Sequence, residues 1–196
     1  MNQIHPTAIL GSDVRLGDNI YIGPYCTIGP NVVLGDGIYI GPCCIIGNPP
    51  EWKGREKEDK GIVIGVGTRI TGHVTIDSGA EAPTFIGTDC YIMKSVHIGH
   101  DAIIGDNVTL SCHAIIGGHT AIQDDCNIGL GAIIHQKQFI SKGCMIGMGA
   151  IVTKKLITQP FKTYVGNPAR LLGDNTKHKK YDEYTIFMQD SLKIKD

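Results

Sequence analysis

An aliphatic residue returns every six positions along most of this chain. Leu10, Leu16, Ile22, Ile28, Leu34, Ile40 and Ile46 are each followed by glycine. The register resumes at Ile64, Ile70 and Ile76, then runs from Ile86 through every sixth residue to Val152. A period of six is neither the 3.6 of an amphipathic helix nor the alternation of a half-buried strand. It predicts an all-β fold, a hexapeptide β-helix. Three hexads make one triangular coil, and equivalent residues of successive coils stack about 4.8 Å apart. The aliphatic side chain points into the prism, and the small residue two before it fills the remaining space. The glycine that follows is expected at the corner, where φ > 0 is often needed.

Two gaps interrupt the pattern without losing its phase. Between Ile46 and Ile64 lies the polar stretch GNPPEWKGREKEDKG, which reads as one hexad plus a twelve-residue insertion. Between Ile76 and Ile86 the excess is four residues, around 78–83. Residues 1–155 are therefore expected to form the prism, with loops at 47–63 and 77–85. Loops on a rigid scaffold are where binding residues concentrate. After Val152 the hexads stop. Residues 156–196 read as an extended segment and a short α-helical C-terminal extension, with Tyr181, Tyr184 and Met188 at roughly helical spacing.

Composition narrows the function classes. A net charge of −1 argues against electrostatic nucleic-acid binding. No long apolar run or apolar N-terminal segment predicts a membrane span or secretory signal. The seven cysteines include no CxxC pair. Cys26, Cys44, Cys90, Cys126 and Cys144 each stand two residues before a hexad aliphatic. They read as small buried fillers in a reducing, cytoplasmic setting.

The coil length also acts as a ruler. Eighteen residues beyond His100 is Gly118, and eighteen beyond that is Gln136; Asp101 falls under His119 by the same count. His135, Gly117 and Gly99 form the adjoining column, and His97 falls under Ile115. Imidazoles, a carboxylate and bare glycine backbone thus converge on one corner. A neutral imidazole suits proton removal near pH 7, and a preorganised N–H suits a developing oxyanion. His5, His73, His113 and His178 have no such convergence and read as solvated or structural.

With HPTAIL at its start, SVHIGHDAIIGDNV, IIGGHTAI and IIHQ within residues 95–136, and NPPEWKG in the first loop, the chain resembles the hexapeptide acyltransferase superfamily. Within it, the chain is similar to the UDP-N-acetylglucosamine O-acyltransferases of lipid A biosynthesis. The resemblance implies a left-handed parallel β-helix and a homotrimer with active sites between adjacent prisms. It implies an acyl carrier protein thioester as donor, a nucleotide sugar as acceptor, and no metal or resident cofactor. It also implies that His100 is the general base, that Asp101 orients it and that Gly118 supplies the oxyanion N–H. His97, His119, His135 and Gln136 would line the nucleotide-sugar cleft, Glu51 and Lys53 would hold the sugar and a phosphate, and Gly166 would leave the acyl groove open to a longer chain. Three differences stand out. Asp77 occupies the place of a family histidine, Glu51 that of an aspartate, and residues 174–196 are shorter than the family's helical C-terminal part.

Three other functions compete. A coenzyme A-dependent O- or N-acetyltransferase of sugars shares the VGNPAR segment. A zinc γ-carbonic anhydrase shares the fold but needs a His-x4-His pair, and no two histidines here are five apart. A bare assembly scaffold would not need the converged His/Asp/Gly corner.

Overall fold

A computed structural model describes residues 1–51, 53, 58–178 and 180. The predicted prism is present. Its first sheet has ten strands, from Gln3–Ile4 to Arg170–Asp174; its second has eight, from Ile9–Leu10 to Ile151–Val152; its third has seven, from Arg15–Leu16 to Phe139–Ile140. Pairing between coils is parallel and in register at eighteen residues: Ile98 lies against Ile116, Ile116 against Ile134 and Ile134 against Val152. Before the final hairpin, each strand is hydrogen-bonded only to the coil before and the coil after.

Both insertions fall where the phase argument puts them. Leu34 pairs with Ile64 and Ile64 with Ile86, so the excess residues leave the scaffold between strands and the ladder closes on either side. Two-residue strands this short would be marginal alone. They persist because every hexad aliphatic from Ile22 to Val152 is buried to 2% exposure or less, each such burial contributing about 1.5–3 kcal/mol. Cys26, Cys44, Cys90, Cys126 and Cys144 are buried among them, in the filler slots predicted for them.

Except at Gly47, whose φ is 93°, the glycine after the aliphatic has a different reason from the one expected. Positive φ belongs to the third residue after the aliphatic, for example Asp101 at 57°, His119 at 56° and Lys137 at 59°. These left-handed corners cost a non-glycine residue roughly 1–2 kcal/mol, and Asp, Asn and His fill many of them because they tolerate that region best. The glycine stands where successive coils come closest. A Cβ on Gly99 would lie 2.8 Å from Gly118 N, and one on Gly117 would lie 2.5 Å from Gln136 N. Close backbone approach excludes the side chain there.

The prism also runs further than the aliphatic pattern. Thr158 and Tyr164 take the next two inward slots: Tyr164 lies against Ile146, and both are buried. Neither is aliphatic, so the pattern hides them. Thr158 Oγ1 accepts from Ser141 N at 2.8 Å and donates to Phe139 O, and the Tyr164 hydroxyl accepts from Gln159 N. The chain then reverses. Lys162–Val165 pairs antiparallel with Arg170–Asp174, residues 175–178 fold back along the prism, and Lys180 Nζ reaches Asp125 at 2.8 Å. The predicted helix around Tyr181, Tyr184 and Met188 lies outside the described residues. Among the described residues there is no helix, and hence none long and apolar enough to cross a membrane.

Candidate active site

The corner between the second and third sheets carries the predicted chemistry, and the ruler holds there. His119 N donates to His100 O at 2.9 Å, and Lys137 N donates to Gly118 O at 2.9 Å, which stacks the three coils at this corner. His100 and Asp101 form a tight pair, Nδ1 to Oδ2 at 2.6 Å, with side chains 13% and 4% exposed. The carboxylate accepts, so Nδ1 carries the proton and Nε2 is left with its lone pair. Nε2 lies beside Gly118, since a Cβ there would stand 2.9 Å from it. The His119 ring meets His100 edge-on at 5.0 Å, and its Nε2 lies 3.7 Å from Asp101 Oδ2.

Asp101 is held by a feature outside the motif. The loop at 78–83 folds over it and donates three backbone N–H groups, from Ala80, Glu81 (2.7 Å) and Ala82 (2.9 Å). Burial pushes this carboxyl up, but the Ala82 N–H, His100 and the other two N–H groups outweigh it and bring it down to about 2. Asp101 is thus a fixed anion at neutral pH. Its own N–H donates to Thr84 Oγ1, which donates in turn to Asp77 O.

Gly118 has a second qualification. It is the second residue after its aliphatic, the slot that proline fills at positions 24, 30 and 42. The ladder therefore needs no N–H at this slot, and no backbone carbonyl among the described residues takes the Gly118 N–H.

A cleft of about 280 Å³ opens at this corner, lined by Glu51, Lys53, His100, His119, Gln136 and Lys137. The first insertion, which contributes Glu51 and Lys53, and the His100 corner therefore share one cavity. Lys137 was not anticipated, although counting eighteen on from His119 reaches it. Asp101 and Gly118 lie behind this lining, and three of the expected binding residues stand outside it. His97 is beside it on the second sheet, with Nδ1 2.8 Å from Thr75 Oγ1 and Nε2 3.8 Å from Asp77 Oδ2. Burial pushes the Asp77 carboxyl up, opposed by His97. His135 Nδ1 donates to Gln136 O. Gly166 sits exposed in the hairpin turn at the far end of the prism, with only Pro168 O within 4 Å of a Cβ placed there.

The ligand atoms of His100, Asp101 and His119 lie within 4.8 Å of one another, a grouping a cation could bridge. At 2.6 Å, however, the His100–Asp101 contact has room for a proton and none for an ion.

Residues 13–48 and 83–118 match the bacterial transferase hexapeptide family (six repeats). The chain is 45% identical over 141 residues to an acyl-[acyl-carrier-protein]–UDP-N-acetylglucosamine O-acyltransferase of Paraburkholderia phymatum, covering 61% of this chain and 53% of that protein. A protein of the same description from Paraburkholderia phytofirmans is 42% identical over 144 residues, covering 62% and 55%. Among solved structures, the UDP-N-acetylglucosamine acyltransferase from Campylobacter jejuni superposes with a TM-score of 0.83 at 27% identity, covering 94% of this chain and 81% of that one. The Francisella novicida enzyme gives 0.76 at 29% identity, covering 91% and 68%. The chain spans about half the length of the curated relatives it matches.

Proposed function

We propose that this stack of bacterial-transferase hexapeptide repeats is an acyltransferase, moving an acyl group from a carrier-protein thioester to a hydroxyl of a nucleotide sugar such as UDP-N-acetylglucosamine. The observation that carries this reading is the His100–Asp101 pair, with His100 Nε2 beside Gly118 at an open cleft. Asp101 fixes the tautomer and stabilises the imidazolium that forms. His100 Nε2 takes the proton of the acceptor hydroxyl as its oxygen bonds to the thioester carbon. The negative charge on the thioester oxygen meets the Gly118 N–H, a contact worth about 3 kcal/mol where measured elsewhere. The C–S bond then breaks, and the leaving thiolate takes the proton back from His100. Glu51 and Lys53, on the cleft's other wall, bind the sugar and its phosphate.

A homotrimer fits the surface. The outward residues on both sides of this corner are apolar and exposed: Ile115 and Ile133 on the second sheet, and Phe85, Ile103 and Phe139 on the third. Packing one copy's second sheet against another's third would cover both columns and enclose the cleft between copies. Sedimentation should give three times the chain mass; a monomer would refute the assembly.

The activity is tested by incubating purified protein with UDP-N-acetylglucosamine and 3-hydroxyacyl carrier protein and reading the product mass. A 3-O-acylated sugar nucleotide is expected. Turnover of acetyl-coenzyme A with no such product would favour the acetyltransferase reading instead.

A further inference from the structure

A second buried carboxylate stands close to the base, and its oxygens take no part in holding it. Asp77 follows Ile76, which pairs with Ile98, so the column above it runs through Gly99 and Gly117 to His135. The next two coils therefore place no side chain over it. The Asp77 side chain is 6% exposed, and His97 Nε2 lies 3.8 Å from its Oδ2. That gap is too wide for a hydrogen bond and leaves room for a polar atom beside the two groups. Among the described residues, no group donates a hydrogen bond to this carboxylate.

Asp101, buried to a similar degree, shows what such an anion needs: it has three peptide N–H groups and an imidazole at 2.6 Å. Asp77 has one imidazole, further off. Burial pushes its carboxyl up against the pull of His97, and Glu51 pushes the same way. Glu51 lines the cleft, so two acids act on one spot beside His100. A buried carboxylate without donors is costly. A small cation with several N–H groups would complete it. His97 Nδ1 is directed at Thr75 Oγ1 (2.8 Å), which turns Nε2 toward Asp77. One ammonium can therefore give an N–H to the carboxylate and another to the imidazole. A hydroxyl has a single proton to give and leaves the charge unbalanced. Lys53 and Lys137 line the same cleft and suit a diphosphate. This distribution asks for a ligand that is anionic at one end and cationic at the other.

We propose that Asp77, His97 and Glu51 form a subsite for an ammonium group on the acceptor sugar, so that the preferred acceptor is a nucleotide sugar with a free amine beside the hydroxyl that is acylated. The proposal rests on the acyl-transfer reading and narrows its acceptor class. The ammonium is bound and not acylated: carrying its extra proton, it has no lone pair with which to attack the thioester. UDP-N-acetylglucosamine, whose nitrogen is capped and uncharged, fills the rest of the cleft and is the weaker acceptor.

The test is a binding measurement without donor. Calorimetric titrations use two probes that differ only at the nitrogen, UDP-glucosamine and UDP-N-acetylglucosamine, at mildly acidic pH where the free amine is protonated. The native protein should bind UDP-glucosamine more tightly, by about tenfold or more. Asp77→Asn keeps the shape and removes the charge. It should erase that preference and leave the affinity for UDP-N-acetylglucosamine unchanged. Equal affinity of the native protein for both probes overturns the proposal, and so does a preference that survives in Asp77→Asn. A variant that loses both probes alike would make Asp77 a structural residue and refute the subsite. Glu51→Gln, on an exposed loop, keeps the question answerable if Asp77→Asn does not fold. It should lower the preference about threefold, and an unchanged preference counts against the subsite. No turnover is needed, so the result stands apart from the reaction. An amine preference without any acyl transfer would sink the acyltransferase reading and leave the ammonium site in place.

Discussion

Asp101 and Asp125 occupy the same slot of the hexad, third after the aliphatic, with φ of 57° and 61° and little exposure. They stand at different corners of one prism and do different things. Asp125 is neutralised by two cations, Lys180 at 2.8 Å and Lys142 at 3.7 Å, and accepts from the Asn107 amide. Around it that corner is a ladder of carboxylates closing the scaffold on itself: Asp36 accepts from Asp18 N, Asp106 from Thr88 N, and Asp124 from Asp106 N. Among the described residues Asp101 meets no lysine. Its charge is held by three peptide N–H groups and the His100 imidazole, with His119 Nε2 at 3.7 Å. A carboxylate with a lysine partner is spent on stability, whereas one held by neutral dipoles retains a field that can act on His100. The difference comes from the insertion at 78–83, which no coil at the other corner has.

The sharpest way to break this comparison is at the base. His100→Ala should lower kcat by roughly 10²–10⁴-fold, with an unchanged thermal midpoint; a variant of full activity would reduce the corner to scaffold. Gly118→Ala should cost on the order of 10²-fold, because the new methyl would press on His100 Nε2 and displace the ring. Third come the paired carboxylates. Asp101→Asn should lower kcat by roughly tenfold or more, since the amide can present a donor to Nδ1 and reverse the tautomer. Asp125→Asn should leave kcat unchanged and cost at most about 1 kcal/mol of stability. Equal kinetic effects at the two positions would erase the distinction. The smallest effect belongs to the carboxylate ladder, where Asp106→Ala should cost about 1 kcal/mol or less in a denaturant titration.

Acid sharpens the same contrast. The folded Asp101 carboxyl is held down at about 2, below its unfolded value of 3.8. Its contribution is therefore complete above pH 4 and drains away as pH falls toward 2, about 2 kcal/mol in all. Asp101→Asn should flatten that part of the stability–pH curve.

Much of this was legible in the chain. A repeat of six fixes the coil, and the coil length alone puts Gly118 over His100 and His119 over Asp101. Both insertions keep the phase and so announce themselves. Other features have no sequence signature. The clasp on Asp101 is made by peptide N–H groups, which every residue but proline carries, so nothing in the sequence of that loop marks it. Thr158 and Tyr164 fill inward slots with side chains the pattern does not count. The glycines were visible, but their cause was not: absence of a Cβ serves close approach and positive φ alike, and only the coil spacing tells them apart. Lys137 was within reach of the same ruler that found His119.

Up to the closing hairpin, strands here pair only with the coil before and the coil after. Such a stack behaves as a zipper that frays from its ends and holds longest in the middle. The exposed strands Gln3–Ile4, Ile9–Leu10 and Arg15–Leu16 should exchange their amide protons first. His97, His100, His119 and Gln136 lie several coils further in, so the base and its glycine partner keep their relative placement while the outer coils open and close.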